Sequence, residues 1–271
     1  MPFAADIDLV RKTAKTSATR RHPIYSTPAL DFVALSHTSP APFRQALPAP
    51  GELYLWRYRA EWQAILNDNP RLCISRAEYQ WAKHYPNSAL AKRYLVGCAA
   101  VRLALAPMLA CPPGELEFGS TREGSLKLLN PGAAAGLHIH MAFTSLWVII
   151  AVGTTPVGIG SAMPAPGIAE TTAFAPRALD RRIVMEQPPL AGHAGEPHWQ
   201  ARHASLCALT GRTTSEMDPT FLRQPGAATT AQTNDGKRYH VLDLPMPGRI
   251  CSAIALAEPA WTVYASGWLR N

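Results

Sequence analysis

His203 and Cys207 are the residues of this chain whose types and spacing point most directly to chemistry. They lie four apart in HWQARHASLCALT, so a helix through this stretch sets an imidazole beside a thiol, with Trp199 one turn earlier on the same side. An imidazole so placed can lower a thiol pKa and make a nucleophile or an acid–base pair. The plainer alternative is a small buried cysteine beside a hydrogen-bonded histidine. A second pair, His138 and His140, puts both rings on one face of a strand, which is the beginning of a zinc or copper site. Two ligands do not make a site. His193, His198 or Glu196 would complete one only if the fold brought them near, and otherwise this is a half-buried pair on a strand.

The elements that must position these groups follow from pattern. The centre of the chain, Ile139 to Ala162, holds an apolar run from Leu146 to Val152, rich in β-branched and aromatic residues. A Gly-Thr-Thr-Pro turn and a short Val-Gly-Ile strand follow, and the pattern predicts a rigid hairpin ending in Gly160, Ser161 and Ala162. Upstream, Glu52–Tyr58 predicts a strand, Ser75 caps a helix running to Lys83, and Ser88 starts a longer helix, Ala89–Leu109. In that helix Leu95, Cys98, Ala99, Arg102, Leu103, Leu105 and Leu109 recur at helical spacing, and Pro107 tightens or ends it. Arg93 and Arg102, nine residues apart, leave it on different sides, and a solvated face is the plain expectation for each. Short strands are expected at Leu116–Gly119 and within Gly124–Leu129, and a helix interrupted by Pro176 at Thr171–Met185. His198–Thr210 is a helix stopped by Gly211, and strands follow at Tyr239–Leu244, Ile250–Ala257 and Trp261–Ala265. Strands and helices thus come in two rounds, one on each side of Pro156.

Composition sets the outer bounds. A chain of 271 residues, 47% hydrophobic, is long enough for one sizeable domain or two compact halves. Its net charge of +7 and pI near 9.3 favour acidic partners such as phosphates, carrier proteins or nucleic acid. No recognised nucleic-acid motif accompanies the charge, so nucleic acid is the weaker expectation. Five scattered cysteines without CxxC spacing point to a reduced, cytoplasmic setting. No apolar run is long enough for a membrane span, and the N-terminus lacks the apolar core of a secretory signal. Residues 1–50 combine a basic patch (Arg11, Lys12, Lys15, Arg20, Arg21), a possible short helix at Asp8–Ala18 and many prolines, the composition of a loosely packed arm.

Four signals together resemble a known family. RYLVG, with Arg93 and Gly97 and then Arg102, is similar to an Arg-x-x-x-Gly helix motif; WVIIAVGTTPVGI is similar to a Trp-Val-Ile strand followed by Pro-Val-Gly-Ile. WQARH sits where a Trp-x-x-Lys-Glu helix would be, and GRICSAIALA echoes a late Gly-Tyr-x-x-Ala-Val strand. In this order they resemble the 4'-phosphopantetheinyl transferases of the surfactin-synthetase-activating type, over roughly Glu52 to Ala257. The resemblance implies an α/β (α+β) protein of two similar lobes related by a pseudo-twofold axis. The chain then divides into an arm (1–50), a first lobe (51–156) and a second lobe (157–271). It also implies magnesium-dependent transfer of phosphopantetheine from coenzyme A to a carrier-protein serine.

At the positions that carry that reaction the sequence departs from the family. Gly160 and Ala162 stand where two metal-binding carboxylates are implied, His203 where the glutamate of the Lys-Glu pair is, and Cys207 where a lysine is. A Ser-His-Ser/Thr motif is replaced by Ala142-Phe143-Thr144, and a phosphate-binding lysine by Ser125, with Lys127 two residues on. Glu78 and Trp81 fill basic positions for the nucleotide 3'-phosphate. Magnesium prefers carboxylate oxygens, so its site is expected to be lost and no cofactor is expected. What remains for phosphate or substrate is Arg93, Lys83, Lys127, Thr144, Ser161 and Arg202, with Phe143, Gly160 and Trp199 lining a drier pocket and His203 and Cys207 as candidate catalytic groups. The function expected is binding of an acyl or peptidyl carrier protein, or of a coenzyme A-like acyl-pantetheine, in polyketide, fatty acid or nonribosomal peptide biosynthesis. Repurposed catalysis in the cleft, retained transferase activity and a purely structural role are its alternatives.

Overall fold

The structure is a computed structural model that describes residues 21–23, 33–34, 46–60, 74–120, 126–129, 136–144, 146–162, 172–173, 196–222, 229–260 and 262–267. It is a mixed α+β fold with two sheets and three α-helices among those residues. The first sheet runs in the order β1 (Arg21–Pro23), β14 (Thr262–Gly267), β3 (Glu52–Arg59), β7 (Trp147–Gly153), β6 (His138–Thr144), β5 (Leu126–Leu128), β4 (Phe118–Ser120). Two short strands lie off that path: β2 (Val33–Ala34) pairs with β14, and β9 (Thr172–Ala173) with β6. The second sheet is β10 (Thr220–Leu222), β11 (Thr229–Gln232), β12 (Arg238–Leu244), β13 (Cys251–Leu256), β8 (Val157–Ala162).

Three separate cores define four layers. Helix α2 (Ser88–Leu109) packs through Val96, Val101 and Leu105 on Tyr54, Met141, Phe143 and Ile150 of the first sheet. The opposite face of that sheet, with Leu55, Ala142, Ile149 and Ala151, meets Ile159, Ile254 and Leu256 of the second sheet. Helix α3 (Pro197–Thr210) covers the second sheet's outer face through Ala201, Leu206 and Leu209. β7 is therefore buried on both faces, which is why its sequence is an unbroken apolar run and does not alternate.

The helices start and stop where local chemistry dictates. Ser75 caps α1 (Arg76–Ala82) in a full capping box, its hydroxyl accepting from the Glu78 N–H and the Glu78 carboxylate from the Ser75 N–H. Asn87 caps α2, which continues through Pro107 to Ala110, a left-handed residue that closes it. Gly211 ends α3 at φ 69°, a conformation that favours glycine.

Four expectations are corrected. The predicted central hairpin does not form: β7 already has β3 on one edge and β6 on the other, so β8 has no edge of it to pair with. The Gly-Thr-Thr-Pro turn instead passes the chain to the second sheet, where β8 pairs antiparallel with β13. The hairpin of this region is β6–β7. Second, Arg102 is not solvated; it is only 1% exposed. Third, part of residues 1–50 belongs to the first sheet, since β1 and β2 both pair with β14. β14 itself lies parallel to β3, so chain order puts it after Pro156 and hydrogen bonding puts it in the sheet of residues before it. At the segment expected to be helical, residues 172–173 are strand, and the remainder, like Asp8–Ala18, lies outside the described residues.

Candidate functional site

The positions expected to hold chemistry around α3 are governed by how closely that helix approaches β8. A Cβ added at Gly160 would lie 2.7 Å from the carbonyl carbon of Ala204, and nearer still to the Ser205 nitrogen and the Ala201 oxygen. One added at Gly158 would lie 2.8 Å from the Leu209 Cα, and nearer still to the Ser205 oxygen and the Leu209 nitrogen. The obstacles are main-chain atoms of α3, which cannot swing aside as side-chain ends can. Gly158, Gly160 and Ala162 share one strand face, the face that α3 covers. No side chain, and no carboxylate, has room at position 160.

His203 does not point to that place. It lies about 200° around α3 from Ala201, which faces β8. Its Nε2 donates to the Met217 carbonyl at 2.9 Å, and a carbonyl only accepts, so the proton sits on Nε2. The ring stacks on Trp199 (centroids 4.8 Å apart, planes 10° apart), and Trp199 meets Phe221 edge-on. Cys207 is half-buried, and desolvation, with the Glu216 carboxylate adding to it, pushes its thiol up to about 12. That shift favours the neutral thiol, the opposite of what an activated nucleophile needs. Residue 203 thus faces away from position 160, and a glycine, an alanine and a histidine offer no carboxylate oxygen to a magnesium ion. Among the described residues no group of three or more His, Cys, Asp or Glu side chains lies close enough to hold a metal.

The two histidines of β6 have different surroundings. His138 is half-buried, and burial lowers its pKa. His140 is fully buried between the sheets, where its Nδ1 accepts from the Ile159 N–H at 3.3 Å. It thereby caps an N–H on the edge of β8 that β13 leaves free. Its Nε2–H has no partner among the described residues, and burial holds the pKa down at about 4. Of the third ligands considered, His198 is exposed at the start of α3 and His193 lies outside the described residues.

The expected phosphate and substrate contacts are dispersed. Lys83 and Lys127 are exposed and Arg93 is half-buried. Arg202 is committed to a two-pronged ion pair with Asp243 at 2.8 and 2.6 Å. Thr144 and Ser161 face the layer between the sheets: Thr144 Oγ1 is buried without a partner among the described residues, and Ser161 Oγ lies 3.4 Å from Ser252 Oγ. Phe143 belongs to the core under α2, whereas Gly160 and Ala162 lie under α3, so Phe143 and Gly160 do not line one pocket.

The most developed polar arrangement was not anticipated as one. Arg102 makes a bidentate pair with Glu78 (3.0 and 2.9 Å from Nη2, 3.2 Å from Nε) and also donates to the Pro113 and Leu116 carbonyls. Its guanidinium lies 5.0 Å from the Phe118 ring centroid. This network locks α1, α2 and the turn before β4 together. Both partners were visible in the sequence, Arg102 within the apolar stripe of α2 and Glu78 at the third position of a capping box.

No protein-family model matches the chain, and no curated protein matches it.

Proposed function

We propose that this chain is a phosphopantetheinyl-transferase-like protein that binds a carrier protein or its acyl-pantetheine arm without transferring phosphopantetheine. The observation that carries this reading is the seating of α3 on Gly160, which leaves no volume for a carboxylate at one of the two positions where the resemblance implies a magnesium ligand. Two further observations agree with it. A helix lies on the outer face of each sheet, the repetition that two similar lobes would require, although β9 and β14, from residues 157–271, belong to the first sheet. Lys83 and Arg93 remain as surface cations, suited to an acidic carrier or to the phosphate of its pantetheine arm.

Binding is favoured over repurposed catalysis because the thiol of Cys207 is held neutral and His203 is packed between Trp199 and the Met217 carbonyl. The test is isothermal titration of the chain with apo, holo and acyl forms of a carrier protein. Reversible binding of at least one form, with no turnover of its acyl group, is the expected result. Absence of heat with every form would overturn the reading. Acyl turnover abolished by His203→Ala would place an enzyme there instead.

A further inference from the structure

The layer between the two sheets is apolar at its centre, and the charged or titratable side chains that the described strands turn to it are all bases. Strand alternation, read against the apolar residues of this layer, assigns the faces. In the first sheet β6 turns His138 and His140 to the layer, β5 turns Lys127, and β3 turns Arg57 and Arg59. In the second, β12 turns Arg238 and His240 to it. β7, β14, β8 and β13 turn no titratable group to it, and Thr172 and Ala173 of β9 have none. Among the described residues no strand turns an Asp or Glu to this layer; Glu52 lies on the α2 side of β3 and Asp243 on the α3 side of β12.

His140 is the one of these bases that is fully buried and also joins the sheets, through the bond from the Ile159 N–H to its Nδ1. A second proton on the ring goes to Nδ1, the atom that accepts that bond. The cation then sets one N–H against another, and its Nε2–H has no acceptor among the described residues either. With no described carboxylate facing it, the charge is relieved by water, and water reaches a fully buried ring only if the layer opens. His138 and His240, both half-buried with pKa values lowered by burial, add charge of the same sign as the pH falls. The outer contacts resist this differently. α3 meets β8 main chain to main chain at Gly158 and Gly160, and β8 is bonded to β13 on one edge only, so the second sheet and α3 hold together as one unit. The weakest plane is therefore the one that the proton attacks.

We infer that His140 is an acid-released latch between the sheets: its protonation frees the Ile159 N–H and parts the second sheet, carrying α3, from the first along β8, while each sheet keeps its own helix and core. The latch is closed when the ring is neutral and opens as the pH falls below the ordinary histidine range. Opening exposes the apolar faces around Ile149, Ile159 and Ile254. The inference is independent of carrier binding.

The test is residue-resolved hydrogen exchange of the full chain by NMR between pH 7 and pH 5, corrected for the intrinsic pH dependence of exchange. The Ile159 amide reports the latch, and the amides of β7 and α3 report the rest of the fold. A ring that titrates at about 4 when closed and at the ordinary 6.5 when open makes Ile159 exchange roughly twentyfold faster over this range. The β7 and α3 amides are expected to keep their protection, and an apolar dye to gain fluorescence in step with Ile159. His140→Gln retains an acceptor for the Ile159 N–H and does not titrate, so its Ile159 exchange is expected to be independent of pH. Exchange of Ile159 that does not change with pH would overturn the latch, as would the same acid dependence in His140→Gln. Loss of β7 and α3 protection in step with Ile159 would also overturn it, because the event would then be global unfolding. Should His140→Gln fail to fold, the comparison of Ile159 with β7 within the unsubstituted chain decides.

Discussion

Helix α2 meets the first sheet through large side chains, whereas α3 meets the second at points where the strand has none. Under α2 it is the helix that gives way: a Cβ at Gly97 would lie 2.7 Å from the Met141 sulfur and 2.9 Å from the Phe143 ring. Under α3 it is the strand that gives way, with Gly158 and Gly160 meeting the helix main chain. The two contacts therefore differ in what they can accommodate. Side-chain ends can rotate or shift to admit a new group, but main chain held in a helix cannot. At position 160 a carboxylate has no room to project from β8 toward α3, because the obstacle is backbone separation, and side-chain changes alone do not make room for one.

The largest effect is expected where that closure is challenged. Gly160→Asp forces a side chain and a charge against the α3 backbone and is expected to cost about 4 kcal/mol or more, enough to abolish cooperative unfolding in a marginal domain. Excess magnesium is expected not to rescue it in a thermal melt. A near-native midpoint for Gly160→Asp would break the contrast between the two interfaces. Next in size is the ion pair on the α2 side. Glu78→Ala strands a guanidinium that is 1% exposed and is expected to cost about 3–5 kcal/mol by chemical denaturation. Glu78→Leu/Arg102→Met is expected to recover only part of this, because the Pro113 and Leu116 carbonyls lose their donor.

Between the sheets the lever is pH. His140 is held at about 4 in the fold, below the ordinary 6.5, so the unfolded chain binds its proton first as the solution is acidified. Stability from this residue is full above pH 6.5 and falls as pH drops toward 4, by up to roughly 3 kcal/mol. Denaturation midpoints across this range are expected to show a slope that His140→Gln flattens, and equal slopes would remove the assigned role. The smallest effect sharpens the contrast from the other side. Gly97→Ala gains helix propensity while displacing only the ends of Met141 and Phe143, so a change within about 1 kcal/mol of zero is expected. A loss approaching that of Gly160→Asp would show the two contacts to be alike.

Much of the architecture was legible where local chemistry decides it. The Ser75–Glu78 capping box, the start of the helix at Asn87–Ser88 and the glycine stop at 211 are short-range signals, and α1, α2 and α3 lie close to where those signals place them. The apolar run from Leu146 to Val152 announced a buried strand for the same reason, and the strand is observed at Trp147–Gly153. Pairing was less legible. A Gly-Thr-Thr-Pro turn between two strands carries no information about whether β7 still has a free edge, and both edges are taken by strands distant in sequence or preceding it. The parallel pairing of β14 with β3 joins residues some 210 positions apart and leaves no local trace. The close approach of α3 did have a signal: Gly158, Gly160 and Ala162 on the strand opposite Ala201, Ala204 and Ala208 on the helix. Small residues facing one another at strand and helix periods predict contact between backbones, and such a pattern tells against a site at the same place. The burial of Arg102 was likewise foreshadowed by its place between Cys98 and Leu105 in an apolar stripe. His203 and Cys207 show the limit of spacing: four residues apart puts two groups on one side of a helix, but their environments determine whether either is reactive.

The central claim is that the closure of α3 on β8 excludes phosphopantetheine transfer. It is tested most directly by incubating the chain with an apo carrier protein, coenzyme A and magnesium, and measuring the intact mass of the carrier. An unchanged carrier mass, alongside full conversion by an active transferase in parallel, is the predicted result. Appearance of the phosphopantetheine increment, dependent on this chain and on magnesium, would contradict it.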